Sequence, residues 1–222
     1  MMKRFLLVLT LMSGFSALWA QVSYDITMMD KKRVVSGMQE IQKPDDEIFA
    51  NLMLWATEQG PGCKDEILDC DFVKRQMTMV YNLKDDEKIL YTCRLNAKVS
   101  QGRLVFLVSD VKMQGLAGMF SNFDKLNPEK KSKHQDIINE FQRINNQNLN
   151  EMLTFVNDNN PSITNWKNVC TGKIEAGMSS DEVRLIYGKP ISIQENGANA
   201  QYFFSTFVYV FLEKGIVKSF VN

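Results

Sequence analysis

Gly177-Met178-Ser179-Ser180-Asp181-Glu182-Val183, followed by Gly188-Lys189-Pro190, is a helix with both ends written into its residues. Ser179 has the hydroxyl of a good N-cap, able to accept from a free N–H of the first turn. Glu182 lies three residues on and can reach back to the Ser179 N–H, which completes a capping box. Met178 before the cap and Val183 in the helix are spaced for the accompanying hydrophobic staple. Asp181 and Glu182 suit the positive end of the helix dipole. Gly188 can take a left-handed conformation at the C-terminus, and Pro190 prevents the helix from resuming. A helix of about two turns is expected, with Val183, Ile186 and Tyr187 available for burial.

Beyond it lie Ile191 and Ile193, an Asn196-Gly197 turn signal, and Tyr202-Phe203-Phe204. Phe207 to Leu212 then leads through Glu213-Lys214-Gly215 into Ile216 to Val221. Aromatic and β-branched runs broken by such turns read as an antiparallel meander. Residues 168–222 resemble the SmpA/OmlA, or BamE-like, family. The resemblance is carried by Ile174, Gly177, Met178, Ser179, Glu182, Val183, Gly188, Pro190, Tyr202, Phe211, Gly215 and Val217. It implies a small α+β module with helices on a three-stranded antiparallel sheet. It also implies a binding partner and not a catalyst, as in outer-membrane barrel assembly or enzyme inhibition.

At the other end, Lys3 and Arg4 precede the apolar run Phe5 to Met12, and Ala17-Leu18-Trp19-Ala20 offers a small residue for cleavage. That order is a secretory signal, expected over residues 1–20, and the apolar run is too short to span a bilayer. No cysteine follows the run before Cys63, so no N-terminal lipid anchor is expected. The chain has 26 basic and 26 acidic residues. Removing Lys3 and Arg4 with the signal leaves a net charge of −2, which gives no electrostatic reason to bind nucleic acid or anionic lipid. An exported protein would keep its disulfides. Cys63, Cys70, Cys93 and Cys170 allow three complete pairings. Cys63 and Cys70 are near enough to staple a local loop, and that bridge is expected. Cys93 is in phase with Tyr91, Leu95, Ala97 and Val99 and is expected as a buried thiol.

Between signal and module, residues 21–157 read as a larger α+β domain, joined by a linker over residues 158–167 at Asp158-Asn159-Asn160-Pro161-Ser162. Residues 22–36 carry an edge strand. Pro44 opens a helix whose stripe is Ile48, Phe49, Leu52, Trp55 and Ala56. Met77–Leu83, Ile89–Val99 and Arg103–Met113 read as strands, the last apolar on both faces and therefore central. From about Asn127 a polar-rich helix runs to Asn157. This order resembles a domain of unknown function described as having a TBP-like fold, found in exported proteins of Gram-negative bacteria. The fold expected is thus α+β throughout: an antiparallel sheet with helices, then the smaller module.

A hydrolase needs a nucleophile, a base and an orienting group within mutual reach. His134 is the sole histidine, and a thiol enzyme would have to pair it with Cys93 or Cys170. Cys63 and Cys70 are not a close ligand pair, so no metal is expected, and no cofactor either. The reading is a non-enzymatic envelope protein that binds a protein partner. The alternatives are an inhibitor-like binder of a soluble periplasmic enzyme, or a thiol-dependent enzyme. Tyr202, Phe204 and Tyr209 are the expected anchors, because interface energy concentrates in a few aromatic residues.

Overall fold

Alternation sets the larger sheet. Along β5 (Leu90–Ser100), Tyr91, Cys93, Leu95, Ala97 and Val99 are buried while Arg94 and Lys98 are exposed. Successive strand side chains point to opposite faces, so β5 covers a core with one face and leaves the other to water. The computed structural model describes residues 22–58, 67–84, 89–115 and 120–222. The expected signal sequence and Cys63 lie outside these described residues.

β5 is flanked by β4 (Gln76–Lys84) and β6 (Arg103–Gln114). The sheet continues as β1 (Ile26–Met29), β2 (Lys32–Glu40), β6, β5, β4, β3 (Ile67–Asp71), with β7 (Phe120–Asn122) attached to β6. Every pair is antiparallel. Asp30 and Lys31, with φ of 49° and 64°, make the tight β1–β2 turn. β1 is the edge strand, whereas β2 is interior, paired on its far side to β6.

β6 is central in the sheet but does not have two buried faces. Leu104, Phe106 and Val108 are buried, while Val105 is 48% exposed. Among the described residues no helix covers the second face, and Val105 there meets solvent. β6 also carries a bulge: Thr92 pairs with Lys112 and Arg94 with Ser109, leaving Asp110 and Val111 opposite Cys93. Asp110 takes φ of 53°, in the left-handed region an aspartate tolerates. Its carboxylate receives Lys32 at 2.6 Å, and that hydrogen bond lowers its pKa from the ordinary carboxylate value.

α1 (Asp45–Glu58) and α2 (Ser132–Asp158) cover the other face. Asp45 at the start of α1 accepts from the Gln101 and Gly102 N–H groups at 3.0 and 2.7 Å, which fixes the helix to the β5–β6 turn. Ile48 through Thr57 are all buried, ten consecutive residues, so α1 is enclosed and not merely striped. The expected single stripe underestimates this because it counts one neighbour, whereas α1 packs on β5, on α2 and on α4 (Ser180–Tyr187). α2 is amphipathic, with Phe141, Leu149, Met152 and Val156 buried. Between helix and sheet, Tyr81 donates its hydroxyl proton to Asn145 Oδ1 at 2.6 Å, which satisfies a polar group that burial would otherwise leave bare.

The second sheet runs β11 (Ile216–Val221), β10 (Val208–Glu213), β9 (Asn199–Ser205), β8 (Ser192–Asn196), all antiparallel. It has four strands and not the expected three. β8 is exposed at every residue and held through its ladder to β9, so it offers little burial pattern to read. α4 packs on one face through Tyr187 and Phe204, and α3 (Trp166–Thr171) packs against α4. α3 falls at the end of the expected linker; its signals are an Asn165 side-chain N-cap and Gly172 in the left-handed conformation.

α4 has its full capping box: the Glu182 N–H donates to Ser179 Oγ at 3.1 Å and the Ser179 N–H to Glu182 Oε2 at 2.7 Å. The Glu182 carboxylate is fully buried and also accepts from the backbone N–H groups of Thr164 and Asn165. Gly188 closes the helix by donating its N–H to Arg184 O, but with φ 81° and ψ −156°. That is not the left-handed cap expected; it is a region almost reserved for glycine.

A Cβ on Gly37 would lie 2.4 Å from both the Phe106 and Tyr24 rings, which meet edge to face at 5.0 Å. Gly37→Ala should therefore cost about 1–3 kcal/mol in chemical denaturation. At α4, Ser179→Ala should cost about 1 kcal/mol. Glu182→Ala should cost more, roughly 3 kcal/mol, because several buried N–H donors lose their acceptor together. Equal losses for these two variants would show that the carboxylate binds nothing beyond the cap.

Candidate binding surface

The register of the smaller sheet decides which aromatic residues can meet a partner. Val210 and Leu212 are buried, and their direct partners on β9 are Tyr202 and Ala200. Opposed residues share a face, so Tyr202 lies on the α4 side. Phe204 is there too, its ring 5.3 Å from Tyr187 of α4 and 6.2 Å from Tyr202. Two of the three expected anchors, Tyr202 and Phe204, therefore stack inward, and Tyr209 is left on the outer face.

The outer face is built by the residues in between. Tyr209 opposes Phe203 on one side and Val221 on the other; Phe211 opposes Gln201 and Ser219. Phe203 and Tyr209 meet edge to face at 5.3 Å. Tyr209 donates its hydroxyl proton to Thr206 O, which ties the ring to the β9–β10 turn. Phe211 is 38% and Val221 54% exposed. Phe207, expected within the strand, occupies the turn and is 76% exposed. Beside Phe211 lies a shallow depression of about 430 Å³ lined by Gln194, Gln201 and Leu212. Lys218 and Glu213, also on its lining, pair at 2.9 Å. Flat apolar surface with polar flanks is the composition of a contact patch. Sequence alternation names both faces of β10 but says nothing of which one α4 covers, so Phe203 and Phe211 are legible only in the register.

The titratable residues are mostly engaged elsewhere. His134 takes the Asn127 N–H on Nδ1 at 2.8 Å near the start of α2. Cys93 is buried in the sheet core beside Tyr81, and burial pushes its thiol up to about 12. Asp46 pairs with Arg75 at 2.5 Å. Among the described residues no group of three or more His, Cys, Asp or Glu side chains could hold a metal. No helix among them is long and apolar enough to cross a membrane. Cys70, one half of the expected local bridge, is a free thiol with its sulfur 3.6 Å from Met53 Sδ.

The segment after α2 is pinned and does not behave as a free tether. Asn51 donates to Val156 O and Asn159 O at 2.9 and 2.8 Å, Ser162 N–H reaches Asp181, and Thr164 N–H reaches Glu182. Arg184 of α4 pairs with Glu58 at the end of α1. The buried residues of both sheets form one continuous cluster through α1 and α4.

Comparison with known proteins bears on the larger sheet. No family model matches the chain, and no curated protein matches it. Among solved structures, a TBP-like protein from Parabacteroides distasonis is similar over 61% of this chain and 99% of its own, with 13% identity and a TM-score of 0.52. A DUF4468 family protein from Bacteroides ovatus is similar over 59% of this chain and 87% of its own, with 13% identity and a TM-score of 0.45. At that identity the first likeness is one of fold: an α+β arrangement of helices on an antiparallel sheet, TBP-like in architecture.

Proposed function

We propose that this chain is an exported, non-enzymatic protein of the cell envelope that binds a protein partner on the outer face of its smaller sheet. The observation that carries the reading is the outward set Phe203, Tyr209, Phe211 and Val221 on the face away from α4. Aromatic residues on a rigid scaffold bury large area at low entropic cost, and their burial concentrates binding energy. The BamE-like resemblance of residues 168–222 supports a binding role, and the signal pattern of residues 1–20 supports export. A non-catalytic role is supported by the engagement of His134, Asp45 and Asp46 in local structure. The charge balance after export gives no basis for a nucleic-acid partner.

The test places a photo-crosslinking residue at Phe211 and, as a control, at Val105 on the open face of the larger sheet. Envelope extracts should give one dominant adduct at position 211 and none at 105. Phe211→Ala should weaken capture of that same partner about 10-fold or more, with an unchanged melting temperature. Adducts at 105 alone would move the site to the larger sheet. Full capture by a Tyr209→Ala, Phe211→Ala double variant would remove this face from consideration. Fractionation then separates an integral outer-membrane partner from a soluble enzyme held by an inhibitor.

A further inference from the structure

We propose that Cys70 and Cys170 are a thiol pair that closes to a disulfide by exchange with an external disulfide, locking the edge of the larger sheet to α3. The two cysteines belong to opposite sides of the seam between the sheets. On the β3 side, Cys70 pairs with Met77, a core residue 2% exposed, so its side chain shares the core face. Phe72, two residues on, has its ring 5.7 Å from Phe49 of α1 and 5.8 Å from Trp166 of α3. On the helix side, Trp166 and Cys170 are four residues apart in α3 and share one of its faces. Phe72 sits in the turn just beyond β3, and its contact with Trp166 places the end of β3 beside α3.

Both thiols line a single cavity of about 480 Å³, together with Met53, Thr57, Gly172 and Leu185. Both are free and half-buried. Burial first, then Asp69, Asp71 and Cys170, raise the Cys70 thiol to about 12. Burial and then Asp46 raise Cys170, with Arg75 opposing. Cys93 is separated from this seam, since it lies in the core beside Tyr81.

The exchange balances in two steps. The Cys170 thiolate attacks an external disulfide RS–SR, forming Cys170–S–S–R and expelling one RS⁻. The Cys70 thiolate then attacks the Cys170 sulfur, forming the Cys70–Cys170 bond and expelling the second RS⁻. The two thiol protons end on the two expelled thiolates, so two protein thiols are oxidised and one external disulfide is reduced to two RSH. Thiolate is scarce at neutral pH with both thiols raised, so closure should accelerate as pH rises through 7 to 9.

The full-length chain is incubated with oxidised glutathione, blocked with an alkylating agent and digested without reductant. Expected is a cross-linked peptide joining Cys70 to Cys170, a mass lower by two hydrogens, and a melting temperature above that of the reduced protein. Cys63→Ser should keep the link and the shift. Cys70→Ser and Cys170→Ser should each abolish both. A link from Cys63 to Cys70 or Cys170, a stable glutathione adduct on Cys170 without the cross-link, or full alkylation of both thiols after oxidation would overturn the proposal.

Discussion

The packing of this molecule depends on one helix that has almost no solvent side. Residues Ile48 to Thr57 of α1 are buried all round, which requires neighbours in every direction. β5 lies on one side, α2 beside it and α4 against another flank. Taking α4 away would bare a strip of α1, so the fold closes only when the C-terminal unit docks. The Glu58 carboxylate at the end of α1 pairs with Arg184, and Lys189 lies within 3.6 Å of it, so the seam is marked by charge as well as by apolar contact.

Glu182 is the counterpart of this constraint on the other side. A buried carboxylate is costly unless its oxygens accept enough hydrogen bonds. Here it accepts from its own helix start and from the chain between α2 and α3. One side chain therefore caps α4 and anchors the segment that leads into it. With Asn51 holding Val156 and Asn159, the connection between the sheets is tied down along much of its length. The segment that reads in composition as a linker is held as a strap.

The docking of α4 onto α1 also explains where apolar surface is left over. α4 packs between α1 and the inner face of the smaller sheet, and among the described residues nothing covers Phe203, Tyr209, Phe211 and Val221 on the other face. The larger sheet has an open face of its own, where Met38 sits directly opposite Val105 and both are about half exposed. That face is diluted by Arg94, Asn96 and Lys98, while the smaller sheet gathers aromatic rings. Density of rings distinguishes the two open faces as binding surfaces.

Short-range rules were enough for much of this protein. The Ser179–Glu182 box, the alternation of β5, the stripe of α2 and the entry to α1 are written at spacings of two to four residues, and local geometry follows from such spacings. Tertiary structure alone decided the rest. It chose which face of β10 turned in, and so exchanged Tyr202 and Phe204 for Phe203 and Phe211 as outward residues. It added β8 to the sheet as a fourth strand, exposed along its length and held by backbone pairing. It brought Cys70 toward Cys170 across a hundred residues of chain and gave Glu182 donors from outside its own helix. The reason is one of range. A residue's neighbours within a turn or a strand are set by covalent spacing, whereas its exposure is set by whatever distant element arrives to cover it.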